Sequence, residues 1–240
     1  PYGNWGSRKY LFASLEESLQ RMKLDYVDLF YSHRYDPETP LDETLQALAD
    51  IVHQGKALYI GISRWPAEAF EYAHRYLSEQ HVRLLTYQGR YNLIDRTVEN
   101  DGVLEAIRRL RTGFVAFSPL AQGLISRMRT DVTLKESQLT PELMKQLQAW
   151  NAEAAALGMD LAQYALRWVL SHEEVTSVIV GVSKLEQLKS NPAALRKLMQ
   201  SRDGQTLMQA LTRPDNGAGL QRAVQAAMQG NTNMMAELVN

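Results

Sequence analysis

Apolar positions along the chain switch period several times. Between Ser7 and Met22, Leu11, Leu15, Leu19 and Met22 recur at helical spacing, and Ser7 is placed to cap the start. Tyr26 to Tyr31 is then a nearly continuous apolar run, broken only by Asp28, and predicts a strand. Leu41 to His53 returns to helical spacing through Leu41, Leu45, Leu48 and Ile51, and Gly55 ends it. Ala57 to Ile62 is a second strand. Trp65-Pro66-Ala67-Glu68 opens a further helix, with Pro66 suited to its first turn. Leu84 to Tyr87 is the third strand, Val103 to Arg111 a helix and Phe114 to Phe117 the fourth strand. Thr140-Pro141-Glu142 starts a helix that runs to Leu157, and Leu161 to Leu170, apolar on most sides, predicts a buried one. Val175 to Val180 is the fifth strand, and a short helix over Lys184 to Asn191 follows.

Five β-rich segments thus alternate with helices, and the strands read as runs rather than alternations. That pattern predicts an α/β fold with a parallel sheet covered on both faces. A doubly wound sheet and part of a (β/α)8 barrel both satisfy it. The last stretch, 199–240, is rich in Gln, Met, Ala and Asn, carries a turn at Arg213-Pro214-Asp215-Asn216-Gly217, and reads as a helical appendage of unknown role.

Composition narrows the function classes. A formal net charge of −1 over 240 residues provides no global field for nucleic acid or an anionic membrane. No apolar run is long enough to span a bilayer. The absence of cysteine excludes disulfides and thiolate zinc sites and fits a reducing, cytoplasmic setting. The chain opens without a signal peptide or initiator Met, as a fragment or processed product would.

In parallel α/β folds chemistry collects where strands end at their carboxyl side. The first strand, in "LFYSHR", ends in Ser32-His33-Arg34. The second is followed by Ser63-Arg64-Trp65, the third by Gln88 and Tyr91-Asn92, the fourth by Ser118-Pro119-Leu120-Ala121-Gln122-Gly123, and the fifth by Gly181, Ser183 and Lys184. Each is an ordinary loop start taken singly; together they suggest one polar rim around one site. Backbone N–H groups at the start of the Lys184 helix, with a serine and a lysine, suit a phosphate; an ordinary glycine turn satisfies the same stretch. His33 is placed to donate to a carbonyl oxygen or relay a proton, or to serve as a structural histidine.

Other templates fail. There is no GxGxxG, no GxxxxGK[ST] and no GxSxG, and the remaining histidines (His53, His74, His81, His172) lack metal-ligand spacing. Asp25 and Asp28 read as capping or loop contacts rather than a carboxylate pair.

"DYVDLFYSHR", "GKALYIGISRW", "QGRYNLIDR", "FSPLAQGL" and "VTSVIVGVSKLEQLKSN" occur in that order, each at a strand end. Together they closely resemble the aldo-keto reductase superfamily, nearest the bacterial L-glyceraldehyde 3-phosphate reductase-like enzymes and the voltage-gated potassium channel β-subunits. The resemblance covers residues 7–198 and implies a (β/α)8 barrel that binds NADPH without a Rossmann motif and reduces a small-molecule carbonyl substrate, with homo-oligomerisation left open. It implies that His33 is the active-site histidine. Ser63, Arg64 and Gln88 would hold the nicotinamide carboxamide, with Tyr91 stacked on the ring. Ser118, Leu120 and Gln122 would lie over the pyrophosphate. Ser183 and Lys184 would face the 2′-phosphate, with Gly181 in the cofactor-binding turn before them, and Gln187 and Asn191 the adenine.

Three departures accompany it. Of the family's Asp, Tyr, Lys and His tetrad only His33 has a counterpart; the others belong to the barrel's first strands, and Tyr2 and Lys9 do not match them. The expected barrel is therefore incomplete, five of eight βα units, with this stretch inactive by itself. Ile125 leads straight to Ser126-Arg127, without the segment whose lysine touches the cofactor phosphates. The residues after Leu198 do not resemble the family's C-terminal helix. Three readings follow: a reductase presented in part, a non-catalytic nucleotide-sensing subunit, or a partly folded degenerate reductase.

Overall fold

The computed structural model describes residues 3–125 and 140–181. They fall in one compact unit, Pro1–Gly181. The expected helix at Lys184 and the appendage 199–240 lie outside the described residues.

In chain order the elements are α1 (Arg8–Met22), β1 (Val27–Ser32), α2 (Leu41–His53), β2 (Ala57–Ser63), α3 (Ala67–Glu79), β3 (Leu84–Arg90), α4 (Val103–Leu110), β4 (Gly113–Phe117), α5 (Pro141–Ala156), α6 (Leu161–Ser171) and β5 (Val175–Ile179). Single turns of 3-10 helix at Thr97–Glu99 and Ala121–Gly123 interrupt the loops after β3 and β4. The helix starts follow from local chemistry. The Ser7 hydroxyl accepts from the Tyr10 amide, Thr140 from Leu143, and Asp160 forms a reciprocal capping box with Gln163. Pro66 stands one position earlier than expected, as the residue before the first helical turn.

The five strands form one all-parallel sheet in the order β1-β2-β3-β4-β5. Consecutive strands are neighbours because each pair is bridged by a crossover that carries a helix. Register fixes the two faces. Phe30, Ile60, Ile62, Tyr87, Phe114, Ala116 and Val178 point to the helix side. There they join Leu11, Leu15, Leu45, Leu48, Phe70 and Val169 in one apolar core. The opposite face carries Tyr31, Gly61, Thr86, Gln88, Val115, Phe117, Ser177 and Ile179. Cover on both faces is therefore not what the described residues form: on the second face Tyr59 is 39% and Ile179 47% exposed. The apolar runs reported that both sides of each strand are hydrophobic, but not what lies against them.

Two further differences are local. α6 buries Leu161, Ala165, Leu166 and Val169 along one stripe and exposes Arg167, so it is one-sided rather than buried all round. Met22, expected on the buried stripe of α1, is 48% exposed, because the chain leaves the helix there through the left-handed Lys23. Asp25 and Asp28 are exposed, and Asp28 lies on the sheet-edge strand β1.

On the second face the Tyr31 ring lies across Gly61, and its hydroxyl is 2.7 Å from the Thr86 hydroxyl. A Cβ on Gly61 would fall 2.5 Å from that ring, so the position requires glycine. This contact ties β1, β2 and β3 together immediately below their carboxyl ends.

Candidate functional site

The carboxyl ends of β2, β3 and β4 converge. Ser63, the last residue of β2, is paired with Gln88 of β3, and Gln88 with Val115 of β4. Ser63 is buried, and Gln88 half-buried. Arg64 takes a left-handed φ of 59° directly after the strand, and its amide donates to the Gln88 carbonyl at 3.2 Å. Ser118 does the same after β4, with φ 53°. Non-glycine residues in this conformation directly after β2 and β4 mark backbone held by its surroundings.

Phe117 occupies the same face as Gln88 and Arg90, since Arg90 pairs with Phe117 in the sheet. The Arg64 and Arg90 guanidinium groups lie 5.9 and 5.8 Å from the centre of its ring, within the range of cation–π attraction. Arg90 is loosely countered by Asp95 at 3.7 Å.

Tyr91 is elsewhere. One residue beyond Arg90, it points to the opposite side and is fully buried, packed against Phe114, Trp168 and His172. Its hydroxyl donates to Glu99 at 2.7 Å. Burial, reinforced by that carboxylate, pushes the phenol well above its ordinary pKa. A ring enclosed on these sides has no face to offer a cofactor; the aromatic face at the rim belongs to Phe117. Alternation around Gln88 was the signal that could have found it.

Glu99 also accepts two hydrogen bonds of 2.8 Å from Arg96, which lies over Trp168. The Arg96 hydrogen bonds, helped by the Tyr91 hydroxyl, hold the Glu99 carboxyl below the usual carboxylate range. A depressed pKa contributes stability above the ordinary glutamate value and loses it as pH falls through the folded-state value. Glu99→Gln is therefore expected to cost about 1 kcal/mol at pH 7. In urea titrations the gap between variant and parent should close below about pH 4. A gap constant across that range would show that Glu99 acts through packing alone.

His33 follows β1 directly, beside the end of β2, because Ser32 pairs with Ile62. It is exposed and lines a groove of about 310 Å3 along the outer edge of β1, with Trp5, Tyr10, Ser14, Tyr31 and Arg34. The start of α1 is pinned nearby: Asp36 accepts from the Gly6 amide at 2.9 Å and from the Thr39 hydroxyl at 2.7 Å.

Leu120 and Gln122 lie in the turn after β4, Leu120 half-buried and Gln122 exposed with φ 58°. Gly181, two residues past β5, is exposed, and a Cβ there would meet nothing within 4 Å. Ser183, Lys184, Gln187 and Asn191 lie outside the described residues. The structure thus brings Ser63, Arg64, Gln88 and Ser118 together and places His33 at the end of the neighbouring strand. It leaves Tyr91 apart. Among the described residues no helix is long and apolar enough to cross a membrane.

A parallel α/β sheet with polar strand ends gathered at one rim defines the class: an α/β protein built from consecutive βα units. Residues 1–211 match the aldo/keto reductase family, and the chain belongs to it. It is 45% identical over 214 residues to an L-glyceraldehyde 3-phosphate reductase of Escherichia coli O157:H7, and 44% identical to one of Escherichia coli K12. Each alignment covers 82% of this chain and 62% of the relative, so the chain spans less than two thirds of the curated relatives it matches. Among solved structures it is similar to a thermostable aldo-keto reductase, Tm1743, in complex with the inhibitor epalrestat. The TM-score is 0.64 and the identity 31%, over 85% of this chain and 67% of that one.

Proposed function

We propose that the protein takes part in NADPH-dependent reduction of small aldehydes or ketones. The observation that carries this reading is the set Ser63, Gln88 and Phe117 on one face of three adjacent strands. A serine hydroxyl beside a glutamine side chain offers the donors and acceptors a carboxamide needs, and the Phe117 ring offers a flat surface. The residues present therefore fit a nicotinamide. NADPH, when bound, supplies the hydride. Ser63 and Gln88 would orient the carboxamide, Phe117 would pack on the ring, and the Ser118–Gln122 turn would lie along the phosphates. His33 would donate a hydrogen bond to the substrate carbonyl oxygen and so favour charge developing there, and the proton that completes the alcohol would come from solvent water.

The relatives' names point to short phosphorylated aldehydes as substrates. Arg90, exposed at the rim with only a loose counter-charge, suits an anionic group on such a substrate. Selectivity for NADPH over NADH is assigned to Ser183 and Lys184, with Gln187 and Asn191 toward the adenine. A cytoplasmic setting belongs to the same reading.

The test is titration with NADPH and NADH, followed by fluorescence of the four tryptophans. Saturable quenching at micromolar NADPH is expected. Lys184→Met should weaken NADPH by about tenfold or more, the loss of a charge-assisted contact, and leave NADH nearly unchanged. Equal loss for both cofactors would remove the 2′-phosphate assignment, and no quenching by either would sink the cofactor reading. Turnover of an aldehyde would favour the reductase over a nucleotide sensor.

A further inference from the structure

The turn after β4 holds an unusual amount of left-handed backbone for a segment with one glycine. Ser118, Ala121 and Gln122 have φ of 53°, 45° and 58°, followed by Gly123 at 95°. Such conformations disfavour side chains and persist only where neighbours over-determine them. Within the turn, the Ala121 amide donates to the Ser118 carbonyl at 2.9 Å and the Ile125 amide to Leu120 at 3.2 Å. These local bonds do not fix where the turn stands relative to the rest of the rim.

One side chain from another loop does. Asn92, 1% exposed, follows β3. Its Nδ2 donates to the Ser118 carbonyl at 3.0 Å. Its Oδ1 accepts from the Ile94 and Asp95 amides at 3.0 and 2.8 Å, and its own amide donates to the Asp95 carbonyl at 3.1 Å. The asparagine therefore closes its own loop through its acceptor and reaches across to the next loop through its donor. Next to it, the Tyr91 amide donates to the Phe117 carbonyl at 3.4 Å. β3 and β4 thus stay joined one step beyond the sheet, at the point where the chain turns over the rim.

We infer that Asn92 is a positioning residue: its Nδ2–Ser118 bond holds the Ser118–Gln122 turn in the conformation that receives the cofactor's phosphates. Asn92 lies in the buried layer beneath the rim and acts only through Ser118. The cofactor part of this inference rests on the proposed function; the latch itself does not.

Two variants separate the two halves of the side chain. Asn92→Asp keeps an acceptor for Ile94 and Asp95 but replaces the donor with an oxygen facing the Ser118 carbonyl. Asn92→Ala removes both. Amide hydrogen exchange on the cofactor-free protein reads the latch directly. In Asn92→Asp, Ala121 and Ile125 should exchange about tenfold faster, the worth of one hydrogen bond, while Phe114 to Phe117 keep their protection. NADPH affinity, measured at a temperature well below the melting transition of both proteins, should fall by about the same factor, a loss that a purely structural role would not produce. In the parent protein the Asn92 side-chain amide protons should themselves exchange slowly, a readout that does not depend on either variant folding. A fast-exchanging Asn92 amide, or unchanged exchange at Ala121 and Ile125 in the aspartate variant, would overturn the latch. Faster exchange with unchanged NADPH affinity would overturn its role toward the cofactor. A parent that binds no NADPH would overturn the proposed function, and the exchange data would still decide the latch.

Discussion

Phe114→Ala is expected to cost about 3–5 kcal/mol of stability, and so to lower the melting temperature by roughly 6–20 °C. Phe114 is fully buried at the second position of β4, on the helix side. Its ring contacts Tyr87 and Tyr91, with ring centres 6.3 and 6.0 Å apart. It also fills the space above Gly89, where a Cβ would fall 2.8 Å from the ring. Truncation leaves a cavity bordered by two tyrosines whose hydroxyls are anchored, Tyr87 to the Trp65 carbonyl and Tyr91 to Glu99. Anchored neighbours cannot collapse into the void, which puts the cost at the high end for a core phenylalanine. Phe114→Leu should cost much less. Chemical denaturation of both variants checks this, and a loss under about 1 kcal/mol for alanine would show that the β3–β4 core is not packed as described.

His33→Ala, measured in a protein that turns over an aldehyde, is expected to lower kcat by about 10²–10⁴-fold, the usual worth of a positioned acid–base or hydrogen-bonding group. NADPH affinity should hold within about twofold, because the carboxamide and ring partners lie on β2, β3 and β4 while His33 follows β1. The imidazole is exposed and close to the rim, so its removal leaves no core cavity and the melting temperature should barely move. Unchanged turnover would remove the assigned role. Equal losses in turnover and cofactor affinity would move His33 from the substrate side to the cofactor side.

The order of helices and strands was legible from the chain because each is written locally. The stripe of Leu11, Leu15 and Leu19 follows the helical period, and the apolar run of β2 is bounded by Gly55 and Ser63-Arg64. The parallel arrangement was legible for the same reason: strands separated by helix-length segments must be joined by crossovers, and crossovers make parallel neighbours. The polar residues ending each strand followed directly, and five short motifs identified the family.

What no local pattern carried is which side of each strand faces the helices and what fills the space there. That depends on pairing between segments far apart in sequence, including the irregularities in register at Ile60/Gly61 and Phe114/Val115. A single-residue change of parity separates Phe117, on the rim face, from Tyr91, sealed beneath Trp168 and His172. Asn92 is an ordinary loop residue in the sequence; only the paired ends of β3 and β4 bring its donor to Ser118. The sequence by itself determined the elements, their order and the polar character of the strand ends, since these arise from spacing and side-chain type. The tertiary structure decided which aromatic ring faces the rim and which buried amide reaches the neighbouring loop, since burial and hydrogen-bond satisfaction are properties of the assembled sheet.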